Sequence, residues 1–163
     1  MKLFNDKIQI YDIDYNYRNY LFKFDKKVNI KHRRRFSGII VSVENFNYFI
    51  PFTSHPKRKN GKRRNPRTTV EIYNESNELI AALLINNMIP VPNGCFNLVD
   101  IPNDRDKDYL NSEYIFLRKE KTKQQIINKA ENVYKMVVEQ KDEFLVGFCC
   151  DFNLLEEKCR LYK

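Results

Sequence analysis

The chain has 163 residues, 42% of them hydrophobic, with 12 Phe, 10 Tyr, no Trp and only four Gly. That is enough apolar material for a real core and too much for a disordered chain, so residues 1–163 read as a single domain. The net charge of +8 is local: residues 31–67 carry eleven Lys and Arg against one acid, Glu44, a net +10, and the remaining residues sum to −2.

No eighteen apolar residues run together, and Met1–Lys7 has no uninterrupted apolar stretch. Neither a signal peptide nor a membrane span is expected, and the protein reads as cytoplasmic with no membrane partner. The four cysteines, Cys95, Cys149, Cys150 and Cys159, show no C-x-x-C spacing and read as reduced, mostly buried thiols. His32 and His55 are the only histidines. No zinc or two-metal site and no cofactor is expected.

In chain order, Ile8–Asp12 alternates apolar and polar residues as a short strand does, and Asp14 is placed to cap a helix with the face Tyr17, Tyr20, Leu21 and Phe24. Phe36–Glu44 and Phe46–Phe52 predict an antiparallel hairpin about Asn45, flanked by one basic cluster before its first strand and another after its second. Both clusters are then expected at the same end of the hairpin. Residues 55–68, with two Pro, one Gly, seven basic residues and no apolar side chain, predict a solvated, mobile loop. Thr69–Tyr73 and Leu79–Ile85 predict a second hairpin around Asn74–Asn77, and Cys95–Val99 a further strand.

Beyond Asp104 the period changes to that of helices. Ile126, Ile127, Ala130, Val133, Tyr134, Val137 and Val138 mark one buried helical face, and a shorter helix is expected over Tyr109–Arg118. Phe144–Cys150 reads as a strand, with Cys149 and Cys150 on opposite faces, and Asn153 with Glu156 as the capping box of a last helix.

The concentrated positive charge implies a polyanionic partner. Between the two clusters lies Thr53-Ser54-His55-Pro56-Lys57, where hydroxyls, an imidazole and an ammonium come together. On pattern alone the Thr-Ser pair is equally the ordinary turn chemistry of a strand end.

Several segments, in order, resemble the ToxN/AbiQ family, endoribonuclease toxins of type III toxin–antitoxin systems. They are Tyr20-Leu21 with Phe24-Asp25-Lys26-Lys27-Val28, Phe36-Ser37-Gly38-Ile39, Tyr48–Ser54, Met88-Ile89-Pro90 and, most specific, Cys150–Arg160. The resemblance implies an α+β fold: a compact, strongly twisted antiparallel β core of the MazF/Kid/CcdB kind with surrounding helices. It also implies metal-independent cleavage of A-rich RNA to a 2′,3′-cyclic phosphate and a 5′-hydroxyl. The implied partners are a small repeat antitoxin RNA, which the toxin processes and which inhibits it as a pseudoknot in a closed RNA–protein hetero-oligomer, and cellular and phage RNA substrates. The implied role is phage resistance by abortive infection.

Carried over position by position, the family's hydroxyl pair falls on Thr53 and Ser54, the basic residue after it on Lys57, and the basic position before the hairpin on Arg34, where Lys is common. His55 is an extra residue between Ser54 and Pro56. Cleavage by 2′-hydroxyl attack needs a proton acceptor, stabilisation of the phosphorane and a proton donor to the leaving 5′-oxygen. Arg34 serves only as a charge, because a guanidinium does not deprotonate, which leaves Lys57 or His55 for proton transfer. Lys31, Arg33, Arg35, Arg58, Lys59, Lys62, Arg63, Arg64 and Arg67 are assigned to the bound RNA. Phe36, Tyr48 and Phe52 are expected to alternate into the core. The competing reading is a non-catalytic RNA-binding protein using the same basic groove.

Overall fold

The computed structural model describes residues 1–30 and 36–163. Its strands are β1 (Lys2–Leu3), β2 (Tyr11–Ile13), β3 (Ser37–Val43), β4 (Phe46–Thr53), β5 (Thr69–Tyr73), β6 (Leu79–Leu84), β7 (Ile89–Val91) and β8 (Phe96–Leu98). Its helices are α1 (Tyr15–Phe22), α2 (Lys107–Leu117), α3 (Glu120–Val138), α4 (Glu143–Phe148) and α5 (Phe152–Leu161). The sheet runs β5-β6-β4-β3-β2-β8, with β1 added to β3 and β7 to β4, and every one of these pairings is antiparallel. This is the expected α+β architecture.

The β3–β4 hairpin is the centre of the sheet. Its register pairs Val43 with Phe46 across a two-residue turn, Glu44-Asn45, with Glu44 in the left-handed region at φ 50°. Ile39, Ile40 and Val41 on β3 and Tyr48, Phe49 and Ile50 on β4 are all buried, so both sheet faces are covered here. That explains why these strands read as unbroken apolar runs rather than alternating ones. Gly38 sits where a Cβ would collide with the Ile50 carbonyl and the Phe49 ring, so only glycine allows the strands to close. Of the expected core aromatics, Tyr48 is fully buried, whereas Phe36 and Phe52 are half-buried against the core.

Asp14 caps α1 by accepting the Tyr17 N–H at 2.7 Å, a contact of a kind that contributes roughly 1 kcal/mol. Tyr17 and Leu21 are buried, and the Tyr17 hydroxyl donates to the Pro90 carbonyl at 2.6 Å, tying the helix to β7. The strand expected at residues 8–12 forms later, at β2, while Ile8 and Ile10 are buried in irregular chain. On α3 the predicted stripe is in place: Ile126, Ala130, Val133, Tyr134 and Val137 are buried, with Ile127 packed at its flank.

Two further expectations fail. Residues 144–150 form no strand: Asp142 accepts the Leu145 N–H at 2.9 Å and starts α4, because a cap at the head of a short apolar run favours helix over strand. Cys149 and Cys150 follow in extended chain and are both fully buried; burial pushes the Cys149 thiol up to about 12. The last helix is capped by Asp151, which accepts the Leu154 N–H at 3.1 Å, and not by Asn153, which lies inside its first turn. Glu156 therefore turns inward, where it accepts hydrogen bonds from the Tyr48 hydroxyl at 2.7 Å and the Tyr134 hydroxyl at 2.9 Å. Residues 55–68 are largely exposed, as expected of a solvated loop.

Candidate active site and nucleic-acid interface

β4 runs out at Thr53 and Ser54. The Thr53 Oγ1 accepts the His55 N–H at 3.1 Å, so the hydroxyl is held by the turn it begins and keeps its proton to donate. Thr53 is half-buried, while Ser54, His55 and Lys57 are exposed. The four residues stay together at the open end of the strand.

The basic loop folds back as a small hairpin. Lys57 bridges to Arg63, the Arg58 N–H bonds to the Lys62 carbonyl at 2.9 Å, and the Gly61 N–H bonds to the Arg58 carbonyl at 2.9 Å. Gly61 occupies the left-handed region at φ 77°, which its missing Cβ permits. Arg58, Lys59, Lys62 and Arg63 are left with their side chains in solvent.

Arg64 and Arg67 also make contacts within the protein. The Arg64 Nε and Nη2 both donate to the His55 carbonyl, at 3.0 and 2.9 Å, so the guanidinium braces the backbone beside Ser54. Burial, and then the charge of Arg58, lowers the Arg64 pKa from its usual value. Arg67 reaches Asp142 and the Met136 sulfur, each at 3.4 Å, and so ties the loop's exit to α3 and the head of α4. Lys129, on α3, finishes the anchorage by donating to the Pro66 carbonyl at 2.7 Å and the Thr69 carbonyl at 2.9 Å. Burial lowers its pKa, with Glu71 acting in the opposite sense.

Lys31, Arg33, Arg34 and Arg35 lie outside the described residues. The described chain resumes at Phe36, immediately before β3. Phe36 is held by ring contact with Phe49 at 5.7 Å and by the buried Arg18 guanidinium 4.0 Å above it. Arg18 also donates to the Asn29 carbonyl at 3.2 Å, on the other side of the same segment.

Sequence reading missed Arg64 as a brace, Lys129 as an anchor and Glu71 altogether. Lys129 and Glu71 carry no local signal, being one more polar residue on an amphipathic helix and one on an alternating strand. Glu71 matters because of register: Thr53 pairs with Ala82 on β6, and Ala82 pairs with Glu71 on β5. Directly opposed residues share a sheet face, so Glu71 lies on the face of Thr53, two strand spacings or roughly 10 Å away. Among the described residues no three His, Cys, Asp or Glu side chains gather as a metal site would need, and no helix is long and apolar enough to cross a membrane.

A cationic hairpin held over a strand end that presents two hydroxyls suits a phosphodiester backbone. Residues 9–160 match the family model of the toxin ToxN of type III toxin–antitoxin systems. The chain belongs to this family. It is 36% identical to the endoribonuclease ToxN of Bacillus thuringiensis subsp. kurstaki, the match covering 97% of this chain and 86% of that protein. It superposes with a TM-score of 0.82, at 33% identity, on a structure from work on selective toxin inhibition by a non-coding RNA pseudoknot in bacterial type III systems, with 96% and 98% of the two chains covered. AbiQ, a lactococcal anti-phage endoribonuclease of a type III system, gives the same TM-score at 28% identity, with 96% and 98% covered.

Proposed function

We propose that this protein is the endoribonuclease toxin of a type III toxin–antitoxin system, cutting A-rich RNA and its own repeat antitoxin by metal-independent 2′-hydroxyl attack. The observation that carries the reading is the grouping of Thr53, Ser54, His55 and Lys57 at the end of β4, under a braced cationic loop, in a chain of the ToxN family.

The 2′-oxygen forms a bond to phosphorus as the bond to the 5′-oxygen breaks, leaving a 2′,3′-cyclic phosphate and a 5′-hydroxyl. The 2′-hydroxyl proton passes to a base, and another proton goes to the departing 5′-oxygen. Ser54 and Thr53 donate hydrogen bonds to the non-bridging oxygens, and Arg34 and Lys57 offset the developing charge. Lys57 and His55 are the two groups here that can move protons. A folded antitoxin RNA lying along the same cations would occlude the hydroxyl pair, and its loss during phage infection would free the toxin in the cytoplasm, the basis of abortive infection. The closed RNA–protein assembly belongs to the same proposal.

The test is cleavage of A-rich RNA by wild type and Ser54→Ala, with and without EDTA. Wild type should cut equally well with chelator and leave cyclic phosphate ends, while Ser54→Ala should lose at least a hundredfold in rate. Equal cutting by both proteins removes Ser54 from the chemistry. RNA binding without cutting by either makes the protein a non-catalytic RNA binder, and loss of activity in EDTA defeats the metal-independent route.

A further inference from the structure

Behind the basic loop a cleft of about 350 Å³ opens between β5, α2 and α3, lined by Arg63, Arg64, Glu71, Tyr73, Phe116 and Gln125 among others. This is near the lower end of small-ligand pockets, roughly 300–1,000 Å³, and suits a single nucleotide rather than a duplex. Its wall is aromatic: the Tyr73 and Phe116 rings lie 6.0 Å apart, tilted at 51°, and the Lys119 ammonium lies 5.0 Å from the Phe116 ring.

Its polar centre is Glu71. The Tyr73 hydroxyl donates to Glu71 Oε2 at 2.5 Å, whereas the Arg63 Nε stands 3.7 Å from Oε1, beyond hydrogen-bond range. Oε1 therefore retains capacity to accept, and a carboxylate in a cationic, aromatic cleft selects a flat ring that brings its own N–H donors. Arg63 at the mouth is largely exposed and held to Glu71 only by this long ion pair, so it can turn to a phosphate.

We propose that this cleft holds one unpaired nucleotide of the RNA chain, its base against the Tyr73–Phe116 wall with an exocyclic amine donating to Glu71 and its phosphate on Arg63. The inference rests on the RNA reading above and deepens it. Adenine, cytosine and guanine have the required amine; uracil has none, and its single N3–H is flanked by two carbonyl oxygens that a carboxylate repels. The row Thr53–Ala82–Glu71 sets the cleft within one or two nucleotides of the hydroxyl pair along an extended strand. Arg64 belongs to both places, lining the cleft and gripping the His55 carbonyl, so a nucleotide seated here presses on the same brace that shapes the turn after Ser54.

The experiment measures binding of fluorescent 2′-O-methyl oligoadenylate and oligouridylate dodecamers, which 2′-hydroxyl attack cannot cleave, so its outcome is independent of whether Ser54 is catalytic. Wild type should bind the adenylate at least fivefold more tightly than the uridylate. Glu71→Gln, whose amide serves donors and acceptors alike, should bring that ratio below twofold with an unchanged melting temperature, and Phe116→Leu should weaken adenylate binding about tenfold, as loss of one stacked base does. Wild-type affinities and ratio in both variants would overturn the proposal while leaving the cleavage result untouched. So would variants that lose adenosine monophosphate binding yet hold the dodecamers normally, since the cleft would then serve a free nucleotide.

Discussion

At the scale of single residues, charge and role come apart. Eleven cations between residues 31 and 67 look interchangeable in the sequence, yet Arg64 has two donors on one carbonyl and Arg67 has an acid and a sulfur for partners. Lysine keeps the charge of Arg64 but cannot place two fixed donors on the His55 oxygen. Arg64→Lys and Arg64→Ala should therefore both reduce single-turnover cleavage at least tenfold, with melting temperatures close to wild type because the loop is exposed. A lysine variant with wild-type rate would mean that Arg64 acts as a phosphate charge instead. The basic loop was legible in sequence because so many cations with no apolar side chain rarely run together, whereas the hydroxyl pair stood out only through the family resemblance. The brace was not, because a guanidinium's target is set by how the chain folds back, nine residues away, rather than by its neighbours.

Among the elements, periodicity was a good guide wherever one face is buried. The stripe on α3 came directly from it, since burial selects apolar residues at the period of the element, whereas the β3–β4 hairpin came from two β-prone apolar runs about a polar junction. Apolar composition misled at α4, where Phe144, Val146 and Phe148 are exposed and only Leu145 is buried. There the Asp142 cap decides the structure, and it leads to a pH dependence. The Leu145 N–H, and further the Arg67 guanidinium, hold the Asp142 carboxyl below the usual carboxylate range, against a smaller opposing effect of burial. A carboxyl depressed in the fold stabilises it at pH values above the unfolded pKa, near 4, and that contribution disappears as pH falls through the folded value. Asp142→Asn keeps a capping oxygen and loses the charge. It should melt below wild type at pH 7, and the gap between the two melting temperatures should narrow progressively as pH falls below about 4. A gap of constant width across that range would show that shape, not charge, holds the head of α4.

For the molecule as a whole, the arrangement that makes a site is tertiary and so least visible in the sequence. Thr53, Ala82 and Glu71 form one row only because three strands pair in a particular register, and Lys129 closes the loop from sixty residues away. The same geometry divides the cations into those that face solvent and those that hold the protein together, and salt can separate the two groups. Each phosphate neutralised on a single strand contributes roughly −0.7 to the slope of log affinity against log salt. Arg58, Lys59 and Lys62 at the loop tip are exposed, so replacing all three with Ala should make the slope shallower by about 2. Arg67 is engaged with Asp142 and Met136, and Arg67→Ala should leave the slope unchanged while lowering the melting temperature. Titrations of single-stranded RNA between about 50 and 200 mM salt make the comparison. If Arg67→Ala flattens the slope as a single tip substitution does, its ion pair opens for RNA, and the loop's exit then belongs to the binding surface as much as its tip does.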